Sequence, residues 1–460
     1  MKLNKILFVQ CVLICTFTFF SCEKYDELFP EEYHQVLNIK NSGISNIQLY
    51  TTETETIVPV SIMKTGSKEK SKSDGLLSSM NSLTFEEFCK YNDVHYEYLP
   101  ENCYSLKNNQ LNFTETERYK IVDVIFKTKE IKQLIDNGNK EYALPLLLSS
   151  SESNVKDSLL ILSPKVMVPT IGFMTSGFIQ FAEFTESDVD VIEKNIDISM
   201  PVENKWDLKC TISCDEKAKS QFEIFNIQNN NRYKLLPENS YELSGNGVIN
   251  FPKESTKVSV NLKIDRSKLS VGEYILPLSI ADPTVEGFEI DNSNSVILLN
   301  IIYSPDKINL KENQLSANSI HPGDGTELKG LIDGLGEGKH FHSLWSDCVV
   351  DADYGNYIDV SFESSIKAIK FDYWTRFENG NGAPTHIKLF VSSDKMNWNL
   401  IGEIISGLPN GGNQKYSSQI YTSDTDFSYF RFAVVESVAG NLTVSPGTYF
   451  NLGELTLYGK

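Results

Sequence analysis

The chain is poor in the residues that build compact chemical centres. It has 6 His and 4 Trp in 460 residues, and its 42 Lys and Arg fall well short of 61 Asp and Glu. The formal net charge of −19 repels phosphate backbones, which excludes nucleic acid as a partner. Solubility accounts for this acidity more simply than cation storage does. Cysteine is scarce as well. Of the 8, Cys11, Cys15 and Cys22 crowd the amino terminus, leaving Cys89, Cys103, Cys210, Cys214 and Cys348. An odd number without framework spacing means that disulfides do not hold the fold. Cys210 and Cys214 have no companion His or Cys cluster, so they read as buried thiols on one strand face, not as a zinc site. No GxSxG, HExxH, P-loop or GxGxxG signature is present, which excludes the enzymes built on them. A glycoside hydrolase needs only two carboxyls roughly 5–10 Å apart, but among 61 acids such proximity arises by chance. It is the weakest of the functional readings.

What is present begins at the amino terminus. Lys2 and Lys5 precede an apolar run from Ile6 to Phe20, too short to span a bilayer comfortably and suited to a secretory signal. The run ends Phe19-Phe20-Ser21-Cys22, which resembles a bacterial lipobox, with Phe19 where Leu is usual. The resemblance implies a signal peptide over 1–21 and lipidation of Cys22, followed by an anchor and linker over 22–35. Acyl chains there would hold the chain at a membrane, each buried methylene contributing ~0.8 kcal/mol. The acidic Glu23-Lys24-Tyr25-Asp26-Glu27 resembles surface-export signals of such lipoproteins. Surface display on the outer membrane is therefore expected.

An internal repeat follows. Leu99-Pro100-Glu101-Asn102 recurs as Leu236-Pro237-Glu238-Asn239, and Tyr142-Ala143-Leu144-Pro145-Leu146 recurs as Tyr274-Ile275-Leu276-Pro277-Leu278. The copies span 36–165 and 166–305. Val258, Val260, Leu262 and Ile264 alternate with polar residues, the period of a half-buried strand, as do Val122, Val124 and Phe126. Pro145 and Pro277 inside apolar runs suggest edge strands or bulges. Lys64–Ser82 reads as a mobile Lys/Ser-rich insertion, leading to a capping box at Thr84-Phe85-Glu86-Glu87. Short strands with polar turns argue for an immunoglobulin-like sandwich in each copy. The repeats resemble a domain of unknown function found in tandem in surface lipoproteins of glycan-utilisation systems, which implies a spacer and scaffold.

A polar linker over 306–327 leads to 328–460. There Ile369, Phe371 and Tyr373 share one strand face and Lys370, Asp372, Trp374 and Arg376 the other. The first set is expected in the core. The ordered pieces Gly330-Leu331-Ile332-Asp333-Gly334, Phe341-His342-Ser343-Leu344-Trp345, Ile387–Asp394, Asn397-Trp398, Tyr429-Phe430-Arg431-Phe432 and Gly453–Gly459 resemble the discoidin family, or coagulation factor V/VIII type C domain. Its bacterial members are mostly carbohydrate-binding modules. The expected fold class is all-β: two tandem immunoglobulin-like β-sandwiches followed by a discoidin-type, jelly-roll-like β-sandwich.

Sugar recognition pairs an aromatic face with planar donors and acceptors. The resemblance places His342, Trp374, Arg376, Glu378, Asn379, Asn381, Tyr449 and Phe450 at the ligand-holding rim. A register slip of one would turn Trp374 into the core, and His342 could equally serve a buried hydrogen-bond network. Trp345 and Trp398 match the family's structural tryptophans and are assigned to the core. The family's calcium ion would be held by Asp333 and Glu454, although Leu335 stands where a polar residue usually follows the turn. The function implied is a non-catalytic surface lipoprotein that binds polysaccharide or oligosaccharide, with outer-membrane transport proteins as partners. An adhesin or assembly component with a protein ligand is the alternative.

Overall fold

Over Lys257–Asp265, Val260, Leu262 and Ile264 are buried while Ser259 and Lys263 face solvent, as the two-residue period of a strand requires. Val122, Val124 and Phe126 are buried in the same way along Tyr119–Lys127. The computed structural model describes residues 29–68, 70–138, 140–334, 339–346 and 351–460. The signal peptide 1–21, the lipidation site Cys22, Cys348 and Leu335 lie outside the described residues. Among the described residues the protein is all-β apart from helices Ser82–Asn92, Thr128–Gly138 and Glu216–Gln228 and short 3-10 turns. The chain divides into two compact units, one carrying the first repeat, the other most of the second repeat with the carboxy-terminal module.

Each repeat pairs two sheets. In the first, Val36–Ile39, Glu55–Thr65, Tyr119–Lys127 and Tyr104–Lys107 belong to one sheet, and Gly43–Tyr50, Leu159–Met167, Tyr142–Ser149, Ser73–Ser79 and Gln110–Phe113 to the other. Leu37, Ile62 and Val124 of one meet Leu77, Leu144 and Leu162 of the other in a single core. In the second, Lys257–Asp265 pairs with Val191–Ser199 in one sheet, and Gly272–Ala281 with Val296–Tyr303 in the other. Both Leu-Pro-Glu-Asn motifs form 3-10 turns after a helix, at Glu101–Cys103 and Glu238–Ser240.

Four expectations for the repeats are corrected. Lys64–Ser82 is no mobile insertion: it supplies the end of Glu55–Thr65 and all of Ser73–Ser79. The Lys64 ammonium is buried, donating to the carbonyls of Ser71 at 2.7 Å and Thr114 at 2.6 Å, which offsets its desolvation. The helix Ser82–Asn92 starts ahead of the Thr84 box because Asn81 Oδ1 accepts from Thr84 N at 2.8 Å and caps it. Pro145 and Pro277 lie within central strands. On one side of Tyr142–Ser149, Glu97–Tyr98 pairs with residues 142–143 and Ser73–Ser79 with 146–149, so Pro145 falls in the gap. Pro277 falls in the matching gap between Lys234–Leu235 and Lys209–Ser213. A missing N–H costs nothing where no partner carbonyl is in line. Cys210 is buried, its thiol pushed up to about 12 by desolvation, but Cys214 lies one residue past the strand Lys209–Ser213 and is half-buried.

Within the second unit, Glu273 joins the second repeat to the carboxy-terminal module. Its buried carboxylate accepts from Arg232 Nε at 2.6 Å and Nη2 at 2.8 Å, and from the backbone N–H of Ile420 at 3.2 Å. Lys460 Nζ donates to Tyr303 Oη at 2.7 Å across the same junction. Glu273→Ala is expected to destabilise the unit by about 1.5–3 kcal/mol, the range for hydrogen bonds to charged groups. It should split one calorimetric transition into two. A single unshifted transition in the variant would remove Glu273 from this role.

The module's first correction concerns 306–327. This stretch is part of the fold and not a linker: Asp306–Lys307 pairs with Glu454–Gly459, and Leu315–Ala317 with Asn356–Trp374. The long strand Asn356–Trp374 pairs with Tyr421–Ser437 through 356–361 and, after register shifts that bend it, again at 366–369, where its pairing with Glu454–Gly459 through 369–374 begins. The two halves enclose Phe371, Tyr373, Phe430, Phe432, Phe341 and Phe450, all fully buried. Ile369, Phe371 and Tyr373 are thus in the core as expected.

Candidate functional site

At one end of the module a two-residue ladder pairs Phe341 with Leu452 and His342 with Asn451. Adjacent side chains on an extended backbone point opposite ways. Phe341 enters the core, and His342 lines a cleft of about 350 Å³ with Tyr449 and Asn451. The same alternation splits the expected aromatic pair. Phe450 is fully buried against Phe341, at 5.3 Å between ring centroids, and is removed from the ligand set. Tyr449 stays at the cleft, its ring 4.7 Å from that of His342.

The opposite wall comes from the end of Asn356–Trp374. Trp374 is half-buried beside Glu454 and Lys415 in the ladder and does not line the cleft. Arg376 lies two residues beyond the ladder and does. Its Nε donates to Glu378 Oε2 at 2.6 Å, so Glu378 positions the guanidinium and is itself outside the lining. Asn379 and Asn381 line the cleft, and the Asn381 N–H is held by Asn379 Oδ1 at 3.2 Å. Gly382 lies against Asn451: a Cβ there would come 2.5 Å from Asn451 Nδ2, so only glycine lets this loop close on the ladder.

The third wall was missed by sequence reasoning. Segment 321–326 runs beside the ladder, with His321 N–H donating to the His342 carbonyl and Thr326 N–H to the His340 carbonyl, both at 2.9 Å. Gly325 adopts φ +88°, and its backbone rests on the His340 carbonyl where a side chain would collide. This turn projects Asp324 into the cleft, 3.3 Å from His340 Nε2, 3.8 Å from His342 Nε2 and 3.8 Å from Arg376 Nη1. Partial burial pushes the Asp324 carboxyl up, but the His340 hydrogen bond and the neighbouring His342 and Arg376 charges outweigh it and hold it below its ordinary range. Burial lowers His342 from its ordinary range, which favours the neutral ring. His342 Nδ1 donates to the Ser343 carbonyl at 2.7 Å, so Nε2 is an acceptor.

Trp345 was assigned to the core and is instead 47% exposed, lining the cleft with its ring stacked on His321 at 5.1 Å and 11°. Its position beyond the short Phe341–His342 strand frees it from the core. Trp398 is half-buried and stacks on the Arg431 guanidinium at 4.1 Å. Asn451 was also missed: it is 1% exposed, lines the cleft, and neither side-chain atom has a hydrogen-bond partner. The His-Pro-Gly-Asp-Gly run at 321–325, two functional side chains in a tight turn, was the sequence signal for Asp324.

Asp333 and Glu454, the expected calcium ligands, are brought together elsewhere in the module. Glu454 is 9% exposed; Oε1 accepts from Gly334 N at 3.2 Å, and Oε2 is buried without a hydrogen-bond partner. Burial, with the nearby Asp333 charge, pushes the Glu454 carboxyl up to about 7. Two carboxylates and an orphaned oxygen fit a hard cation. Among the described residues no group of three or more acidic, His or Cys side chains gathers around a common point.

A family model whose description reads "-like, N-terminal domain" matches the chain twice, at residues 29–155 and 164–287. No curated protein matches. Among solved structures, a two-domain protein of unknown function from Bacteroides fragilis is similar at 14% identity and TM-score 0.28, over 63% of this chain and 94% of that one. The CpGH89CBM32-5 module from Clostridium perfringens, in complex with GalNAc-beta-1,3-galactose, is 22% identical at TM-score 0.27, over 33% of this chain and 99% of that one. The family 32 CBM from C. perfringens NanJ, in complex with galactose, is 19% identical at TM-score 0.25, over 33% and 98%. Matched twice and over more than half of its length, the chain belongs to the family that this N-terminal domain defines.

Proposed function

We propose that the carboxy-terminal module is a discoidin-type carbohydrate-binding module that holds a glycan in the cleft between Tyr449, Arg376 and Asp324. The chain as a whole is a non-catalytic lipoprotein, anchored through Cys22 and displayed at the outer-membrane surface to capture polysaccharide for transport proteins. The observation that carries the reading is Asn451. A buried amide with both atoms unpartnered at a cleft wall is costly unless a ligand completes its hydrogen bonds. Around it, the Tyr449 and Trp345 rings offer faces for the C–H side of a pyranose, while Arg376, Asn379 and Asn381 donate to hydroxyls. Such open polar clefts bind in about the micromolar range or weaker, because many hydroxyls are desolvated.

Affinity electrophoresis of the soluble chain from Glu23 against a polysaccharide panel tests this directly. Retardation by at least one polymer, relieved by free monosaccharide, is expected; uniform mobility in every gel would sink it. Release of reducing ends from a retained polymer would overturn the non-catalytic part.

Asp333 and Glu454 are the residues that would hold a structural calcium ion, which supplies charge balance and no chemistry. Without it, stability depends on pH in a fixed direction. Between about 4.5 and about 7 the unfolded chain has lost the Glu454 proton and the folded module keeps it. Folding then takes up a proton, so stability falls as pH rises through that window and is level above it. Added calcium is expected to raise the melting temperature at pH 8 and not at pH 5, with Glu454→Gln abolishing both the slope and the calcium response. An unchanged calcium response in Glu454→Gln would rule these ligands out.

A further inference from the structure

We propose that Asp324 makes this cleft selective for uncharged glycans and excludes uronic-acid and sulfated ones. The inference rests on the glycan-binding reading and adds to it the sign of the ligand. Arg376 is the one cation among the described lining residues, and its charge is already committed. Glu378 Oε2 lies 2.6 Å from its Nε and Asp324 Oδ1 3.8 Å from its Nη1. Two carboxylates around one guanidinium leave the locale net negative.

Hydrogen-bond polarity points the same way. The Asp324 oxygens can only accept, and so can His342 Nε2, because its Nδ1–H is spent on the Ser343 carbonyl. This wall needs donors from its ligand. Sugar hydroxyls and N-acetyl N–H groups supply them; carboxylate and sulfate oxygens do not. An anionic sugar would set acceptor against acceptor and charge against like charge in a partly desolvated cleft, where such pairs are costly. Apart from the committed Arg376, the remaining polar lining residues Asn379, Asn381 and Asn451 carry no charge to offset this.

The test compares polymers that differ only in charge. Polygalacturonate, alginate and hyaluronan are each run beside their carboxyl-reduced forms, which keep linkage and stereochemistry, together with neutral galactan and N-acetylated chitin oligosaccharides. The expected result is that every ligand retained by the full chain from Glu23 is neutral, or binds at least 10-fold more tightly than its acidic counterpart. Asp324→Asn should narrow that ratio at least threefold, and Glu378→Gln should narrow it less; the second variant, on an exposed side chain, serves if the first does not fold. A ratio is read because a merely structural defect weakens both members of a pair alike. Equal or tighter binding of an acidic form, or a ratio unmoved by either variant, overturns the proposal. Retention of no polymer of either kind overturns the glycan reading itself, and the proposal with it.

Discussion

Arg431→Ala is expected to destabilise the carboxy-terminal module by about 3–5 kcal/mol, the cost of leaving a buried charge without its partner. Arg431 and Asp359 are 6% and 4% exposed and form a bidentate pair, Nε to Oδ1 at 2.7 Å and Nη2 to Oδ2 at 3.0 Å. The rings of Tyr357, Trp398 and Tyr354 surround the guanidinium at 3.6, 4.1 and 4.6 Å and keep water away. Removing the arginine strands the carboxylate and empties the space between three rings. Replacing both partners, Arg431→Met with Asp359→Leu, should recover most of the loss, since the desolvation cost then disappears with the charges. Three of the 4 Trp lie in this module, so tryptophan fluorescence during urea unfolding reports mostly on it. A single variant as stable as the parent would show that the pair is solvated in solution.

Tyr449→Ala and Arg376→Ala are each expected to weaken glycan binding by about 30-fold, corresponding to roughly 2 kcal/mol for a contact at the centre of a site. Tyr449 loses the ring face; Arg376 loses the planar donor and also frees Asp324 and Glu378 from their shared cation. Folding should be little affected, because neither side chain belongs to the module's core. Titration calorimetry with the best-retained polysaccharide measures both. Wild-type affinity in Tyr449→Ala would mean that no ring stacks on the sugar there, and the cleft would lose its claim.

The site was half legible in advance. The family resemblance pointed to His342, Arg376, Asn379, Asn381 and Tyr449, and the structure brings these five to one cleft. Trp374 was misplaced because facing outward from a sheet is not the same as facing the rim; Arg376, two residues on, has left the ladder. Phe450 failed because alternation lets only one of two adjacent aromatics face out. Asp324, Trp345 and Asn451 were missed: the 321–325 run signals a tight turn, but not which site that turn feeds. Asp324 depends on main-chain hydrogen bonds from 321–326 to 340–342, and main-chain bonds leave no mark on residue identity. Pro145 and Pro277 make the same point, since their tolerance depends on where two neighbouring strands happen to meet.

Local periodicity and duplicated motifs determined by themselves that this chain is all-β, duplicated over its first two thirds and distinct in its last. These are properties of neighbouring residues, and hydrophobic burial acts on them locally. Tertiary structure alone decided which strand gaps accept proline, which of two adjacent aromatics enters the core, and that Asp324 joins Arg376 and His342. Those outcomes depend on contacts between segments far apart in the chain, whose register is set by packing as a whole.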